Sequence, residues 1–134
     1  SGRIGAQLLN ISEVMHKGDS IPLANEMISI DEAIIIMTQK RFGCLGIIDL
    51  QGNIIGIITD GDLRRALNKE KDPLQKNITD FMSLKTKTIQ KDCLAIDALE
   101  IMQKNRIYSL AVLNNKLVPV GVIRMHDLIE AGLV

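Results

Sequence analysis

Thr59 and Asp62 stand three residues apart at the end of an apolar run, in Gly56-Ile57-Ile58-Thr59-Asp60-Gly61-Asp62-Leu63. The hydroxyl of Thr59 can donate or accept a hydrogen bond, while an ionised Asp62 accepts several and suits the two neighbouring hydroxyls of a ribose. If a helix starts here, backbone N–H groups around Gly61 face a phosphate. Asp60 and Asp62 repel an anion held close, so phosphate recognition needs added cations. Arg64, Arg65, Arg124 and His126 are the candidates, and the planar fork of Arg124 is the best match for two phosphate oxygens.

The segment occurs twice. Sixty-five positions on, it returns as Gly121-Val122-Ile123-Arg124-Met125-His126-Asp127-Leu128. At the same offset, Glu32-Ala33-Ile34 through Met37 matches Asp97-Ala98-Leu99 through Met102, and Arg41 matches Arg106. Upstream, Ile11-Ser12-Glu13-Val14-Met15 matches Ile78-Thr79-Asp80-Phe81-Met82 at an offset of sixty-seven, so the turn-rich Lys17 to Pro22 stretch carries two extra residues. Two copies of so long a unit argue for a closed pair over an open repeat array. The division is a lead-in over 1–10, a first repeat over 11–68, a linker over 69–77 and a second repeat over 78–134. Ser1-Gly2 reads as a tag remnant.

At 134 residues the chain suffices for a domain of ordinary size, and each half alone is small enough that a shared core is expected. Sixteen basic and sixteen acidic residues cancel, which leaves no net positive field for nucleic acid or an anionic membrane. No run approaches a membrane span, and no signal-peptide pattern opens the chain. Cys44 and Cys93 give neither a disulfide framework nor a zinc cluster, and they predict thiols in a reducing cytoplasm.

Each copy reads as helix, strand, strand, helix, with a short extended lead-in. Ile34-Ile35-Ile36 alone would equally suit a strand, but its twin Leu99-Glu100-Ile101 carries a charge amid helix formers, so Asp31 to Arg41 is predicted helical. Ile35, standing where Glu100 stands, is then an exposed or partner-covered apolar residue. Leu45 to Leu50 and Ile54 to Thr59 form a hairpin around Gln51-Gly52-Asn53, repeated as Leu110 to Leu113 and Leu117 to Ile123. Pro119 cannot donate to a ladder, so its strand begins at an edge or tolerates a bulge. Asp62 to Asn68 and Asp127 to Ala131 are the closing helices, each opened by an Asp.

Plainer roles compete for several residues. Asp62 and Asp127 also serve as helix caps, Thr59 as a strand end, and Arg41 and Arg106 as cations complementing helix C-termini. Tyr108 offers a ring for a base to stack on, or packs in the core with its hydroxyl at the surface. Met15, Met37, Met82 and Met102 recur at matched positions as core filler. His16 and His126 have Asp19 or Asp127 as acid–base partners, yet no nucleophile accompanies them and neither has metal-ligand company.

The order of elements, the matched halves and the doubled Gly-apolar-apolar-Thr-x-x-Asp pattern resemble a tandem pair of cystathionine-β-synthase-type (CBS) domains, a Bateman module, over about residues 11–132. The resemblance implies an α/β (α+β) fold of two pseudo-twofold-related repeats, each a short three-stranded sheet with two helices. It also implies clefts that bind adenosyl or related nucleotides. Only the first copy keeps both Thr59 and Asp62, so one good site is expected.

Gly2-Arg3, Val14-Met15-His16, Gly18-Asp19, Ile21-Pro22, Thr59 to Arg65, and the ending Met125 to Gly132 are also similar to the C-terminal regulatory part of bacterial D-arabinose 5-phosphate isomerases. That family belongs to the 3-deoxy-D-manno-octulosonate (Kdo) branch of lipopolysaccharide synthesis. The likeness implies a separate sugar-isomerase (SIS) catalytic domain as partner, no catalysis in this chain, and dimerisation through the paired repeats. Implied effectors are CMP-Kdo, AMP or ATP, with no metal or other cofactor. The ligand-binding residues expected are Thr59, Gly61, Asp62, Arg124, His126 and Asp127, then Arg64 and Tyr108. A dimerisation module with vestigial clefts, or a CBS pair of another host enzyme, are the alternatives.

Overall fold

The computed structural model describes residues 2–84 and 87–134; Ser1 of the expected tag remnant lies outside them. Two compact units emerge, one of Ser1–Ile21 with Lys87–Val134 and the other of Pro22–Thr86. The units cut across the sequence repeats. Ile11 to Met15 folds with the body of the second repeat, and Ile78 to Met82 with the body of the first.

In the unit of residues 22–86, strand β1 (Leu23–Asn25) leads into helix α3 (Ile30–Lys40), then β2 (Cys44–Ile48), β3 (Ile54–Thr59) and helix α4 (Asp60–Lys69). Helices α1 (Gly2–Gln7) and α2 (Ile11–Val14) precede them in the chain and belong to the other unit. The sheet order is β1-β2-β3. β1 and β2 run parallel, with Leu23 facing Gly46, because α3 provides the crossover that parallel neighbours require. β2 and β3 are antiparallel and shift register between Ile47 and Ile48.

Their hairpin is set by Asp49, whose Oδ1 accepts from the N–H groups of Gln51 at 2.9 Å and Asn53 at 3.0 Å, with Gly52 at φ 85°. Ile30, Ala33 and Met37 repeat at helical spacing and bury one stripe of α3 against Leu45, Ile47, Ile58, Leu63 and Ile78. The stretch expected as a linker is held in place: the Ile30 N–H donates to the Lys76 carbonyl at 3.0 Å, and the Ile78 N–H to the Ile28 carbonyl at 3.1 Å.

The other unit repeats the plan with β4 (Thr88–Gln90), α5 (Ala95–Asn105), β5 (Ser109–Leu113), β6 (Pro119–Arg124) and α6 (Met125–Glu130), in the sheet order β4-β5-β6. Pro119 opens edge strand β6, and the ladder shifts register between Val112 and Leu113, which Pro119 faces. Ala95, Ala98, Leu99 and Met102 form the buried stripe of α5 and pack with Ile11, Leu110, Val112, Ile123 and Leu128. Each unit thus has a hydrophobic cluster of its own, where the size of a half had suggested one shared core. α1 is an addition to the plan of three strands and two helices, and α2 stands where Ser12 to Met15 suggests a short helical turn.

The lead-ins finish the sheets. His16 bridges Val122 of β6, exchanging N–H···O bonds of 2.8 and 3.0 Å, and Ser83 bridges Ile57 of β3 with bonds of 2.8 and 3.0 Å. These contacts cover the edge of the sheet that would otherwise present unpaired N–H and C=O groups. Ile35, on α3, is 53% exposed, as the charge of its twin Glu100 predicts.

Candidate functional site: two strand-to-helix junctions

At the first junction Thr59 is the N-cap of α4, and Asp62 is the third residue of the helix, not its opening residue. Thr59 Oγ1 accepts from the Asp62 N–H at 3.2 Å, and Asp62 Oδ2 accepts from the Thr59 N–H at 2.9 Å. This reciprocal box satisfies two otherwise orphaned donors at the start of α4. Among the described residues, Asp62 Oδ1 receives the guanidinium of Arg65, a side chain that is itself 63% exposed. Gly61 lies between cap and carboxylate in the first turn, and Arg64 points to the surface.

The second junction has the same backbone and a different chemistry. Arg124 takes the N-cap place of Thr59 and has no acceptor, so only half of the box forms, with the Arg124 N–H donating to Asp127 Oδ2 at 2.8 Å. The guanidinium folds back on the same carboxylate, Nε reaching Oδ2 at 3.3 Å and Nη2 reaching Oδ1 at 3.0 Å. His16 Nε2 adds a 2.8 Å contact to Oδ1. An ionised carboxylate only accepts, so the proton sits on Nε2, and the 3.2 Å approach of Arg124 Nη2 to that nitrogen is two donors sharing one oxygen.

Asp127 is 6% exposed, the one buried charged residue among those described. Burial pushes its carboxyl up, but the hydrogen bonds from Arg124 and His16, the Arg124 N–H and the charge of His16 outweigh it. The group titrates below its ordinary value of 3.8.

The remaining expected residues are elsewhere. His126 turns to Glu130, one helical turn on, with Nε2 2.9 Å from Oε1 on an exposed face. Tyr108 is 74% exposed, so the core-packing role is corrected: the segment before β5 leaves its ring in solvent. Arg41 and Arg106 are the residues that end α3 and α5, both with left-handed backbone, at φ 63° and 55°. Cys44 is buried and Cys93 half-buried, both as thiols. Among the described residues no group of acidic, His or Cys side chains could hold a metal ion, and no helix is long and apolar enough to cross a membrane.

Sequence reasoning did not identify a cavity of about 310 Å³ between the end of α3 and the start of α4. Thr38, Arg41 and Asp60 supply its polar wall, Gly43 joins them, and Ile34, Met37 and Leu63 line it with apolar surface. Asp60 and Leu63 share a face of α4, and Asp62, two residues from Asp60, is not on the wall. The matched Arg41 and Arg106 were the available signal, read there as helix-end cations alone.

Known proteins bear on these junctions. The chain is 40% identical over 133 residues to the arabinose 5-phosphate isomerase KdsD of Pseudomonas aeruginosa, covering 98% of this chain and 41% of that protein. It is 37% identical over 134 residues to the KdsD of Escherichia coli, covering 99% and 40%. The chain therefore spans about two fifths of the length of these relatives.

Among solved structures, the CBS domain pair of protein MJ0100, in complex with 5'-methylthioadenosine and S-adenosyl-L-methionine, superposes with a TM-score of 0.81 at 26% identity, covering 90% of this chain and 93% of that one. CBSX2, in complex with AMP, superposes with a TM-score of 0.82 at 18% identity, covering 93% and 96%. Residues 11–69 and 78–133 each match the CBS domain, so the two junctions are the same feature of one domain used twice, and this chain belongs to the CBS domain family.

Proposed function

We propose that this chain is a ligand-sensing module that takes a nucleotide or nucleotide-sugar through Thr59, Gly61 and Asp62 and passes the binding event to a catalytic domain of a longer protein. The observation that carries the reading is the half-occupied carboxylate of Asp62. A carboxylate offers about four acceptor positions, and Asp62 spends one on the Thr59 N–H and one on a surface arginine that a ligand can displace. Two adjacent ribose hydroxyls fit the remainder, and Arg64 is within the same helix turn for a phosphate. That the CBS pair of MJ0100 holds adenosine derivatives supports the ligand class.

The likeness to KdsD supports an arabinose 5-phosphate isomerase as host, with its catalysis in a SIS domain outside this chain. The thiols of Cys44 and Cys93 fit a cytoplasmic host. AMP, ATP, CMP and CMP-Kdo are the effectors to compare, and calorimetric titration of each is the test. At least one gives saturable heat, and Asp62→Ala weakens it by about tenfold or more, the worth of one charge-assisted hydrogen bond. Unchanged affinity in that variant overturns the ribose assignment. Turnover of arabinose 5-phosphate by this chain alone overturns the placement of catalysis.

A second reading, a homodimerising scaffold with vestigial clefts, draws on the exposed Ile35 of α3. It requires no saturable heat with any of the four ligands, and a dimer in sedimentation that Ile35→Glu dissociates.

A further inference from the structure

The two motif carboxylates differ in how much acceptor capacity they have left. On Asp127, Oδ1 takes His16 Nε2 and Arg124 Nη2, while Oδ2 takes the Arg124 N–H and Nε. Two donors on each oxygen fill the positions that a carboxylate offers. Among the described residues, Asp62 has one donor on each oxygen. We propose that the chain itself occupies its second motif: His16 and Arg124 stand where ligand hydroxyls would stand, and they restrict the module to a single ribose-type site, at Asp62.

The repeat shows which substitutions produce the difference. Thr59 in the first motif is Arg124 in the second, which replaces a one-donor hydroxyl by a fork that curls onto the carboxylate. The lead-in residue that bridges β6 is His16, and its counterpart bridging β3 is Ser83. A serine side chain ends two bonds from the backbone, whereas an imidazole on the same bridge spans to Oδ1 at 2.8 Å. Both changes act on one carboxylate, and both add donors to it. Burial of Asp127 makes them hard to displace singly, because removing one donor leaves acceptor capacity that water reaches poorly. A ligand entering here would have to break the Arg124 and His16 contacts together.

The closure rests on geometry, and the choice of probe rests on the sensing role proposed above. The test restores the residues of the first motif in the double variant His16→Ser, Arg124→Thr, checked for folding by its melting profile, and titrates it and the wild type with AMP and with CMP. In a second measurement, hydrogen exchange of the His16 and Val122 amides is followed in the milder single variant His16→Ser.

The expected result is one bound nucleotide per wild-type chain and two per double-variant chain, with both amides exchanging about tenfold faster once the side-chain anchor is gone. Two sites in the wild type, or one in both proteins, overturns the closure. Binding by the double variant alone supports it and overturns the assignment at Asp62. If neither protein binds either nucleotide, the sensing role fails, and the exchange rates decide the closure: acceleration supports the anchor, and unchanged rates overturn it.

Discussion

A Cβ placed on Gly56 would lie 2.9 Å from the carbonyl oxygen of Ser83, so the Ser83 lead-in and strand β3 approach as closely as glycine permits. Gly121 stands in the same relation to His16, at 3.0 Å from its carbonyl oxygen. Met82 and Met15 fill the space over these glycines, which is why both methionines recur at matched positions.

Gly56→Ala and Gly121→Ala are therefore expected to destabilise the fold. The nearest atoms are the sulfurs of Met82, at 2.6 Å, and Met15, closer still, which can swing aside only in part because the hydrogen-bonded carbonyls of Ser83 and His16 crowd the same space, and overpacking of that kind costs about 1–3 kcal/mol. Chemical denaturation would show a lowered midpoint for each variant. A midpoint equal to wild type for both would mean that the lead-ins do not seat against these strands.

This exchange of lead-ins was the part of the fold least legible in the sequence. Strand β3 was predicted at its observed bounds, because Ile54 to Thr59 is β-rich and bounded by turn chemistry, and the ambiguous Ile34-Ile35-Ile36 was settled by its twin. Nothing local in Ile11 to Met15 says which copy it joins, since a pairing across more than a hundred residues depends on topology. At the site, the motif located Thr59, Asp62, Arg124 and Asp127 but misplaced the carboxylates as helix openers: the helices begin two residues earlier, with Thr59 and Arg124 as caps. His16 and His126 were in view with Asp19 or Asp127 as partners, and the lead-in's bridge to Val122 is what brings His16 to Asp127.

Asp127 makes stability fall in acid. Its folded titration point lies below the ordinary 3.8, so it contributes stability that is present above 3.8 and lost as pH falls through the lower folded value. Unfolding free energy measured from about pH 6 down to about pH 3 is expected to drop more steeply for wild type than for Asp127→Asn, whose side chain does not titrate. At neutral pH the variant should be weaker by about 1–3 kcal/mol, because it leaves donors of Arg124 and His16 poorly matched in a buried place. Parallel pH profiles for the two proteins would contradict the assignment.

Thr59 has a structural role that can be separated from ligand binding. Thr59→Ala deletes the acceptor for the Asp62 N–H and is expected to cost about 1 kcal/mol, while Thr59→Ser keeps the oxygen and most of the stability. If Thr59 also meets the ligand through its hydroxyl, Thr59→Ser retains nucleotide affinity and Thr59→Ala loses it by more than its stability loss explains, as thermal melts with and without saturating nucleotide would show. Equal ligand-induced shifts in all three proteins would leave Thr59 as a cap alone.

Leu117 occupies the hairpin place that Gly52 holds in the other repeat, and its backbone is left-handed, at φ 64° against 85° for Gly52. The turn is otherwise the same, with Asn114 Oδ1 accepting from the N–H groups of Lys116 at 2.9 Å and Val118 at 3.0 Å as Asp49 does in the first hairpin. A leucine in that region crowds its Cβ against the carbonyl, at about 1 kcal/mol, and its side chain gives little back in burial because it is 59% exposed. Glycine loses more chain entropy on folding, which offsets part of the relief. The strain is the larger of the two, so Leu117→Gly should raise the denaturation midpoint, with a gain below about 1 kcal/mol. The reciprocal Gly52→Leu should lower it, since it introduces the same crowding and Gly52 has open space that provides no compensating contact. A loss of stability in Leu117→Gly would show that the entropy of glycine outweighs the backbone strain at this position.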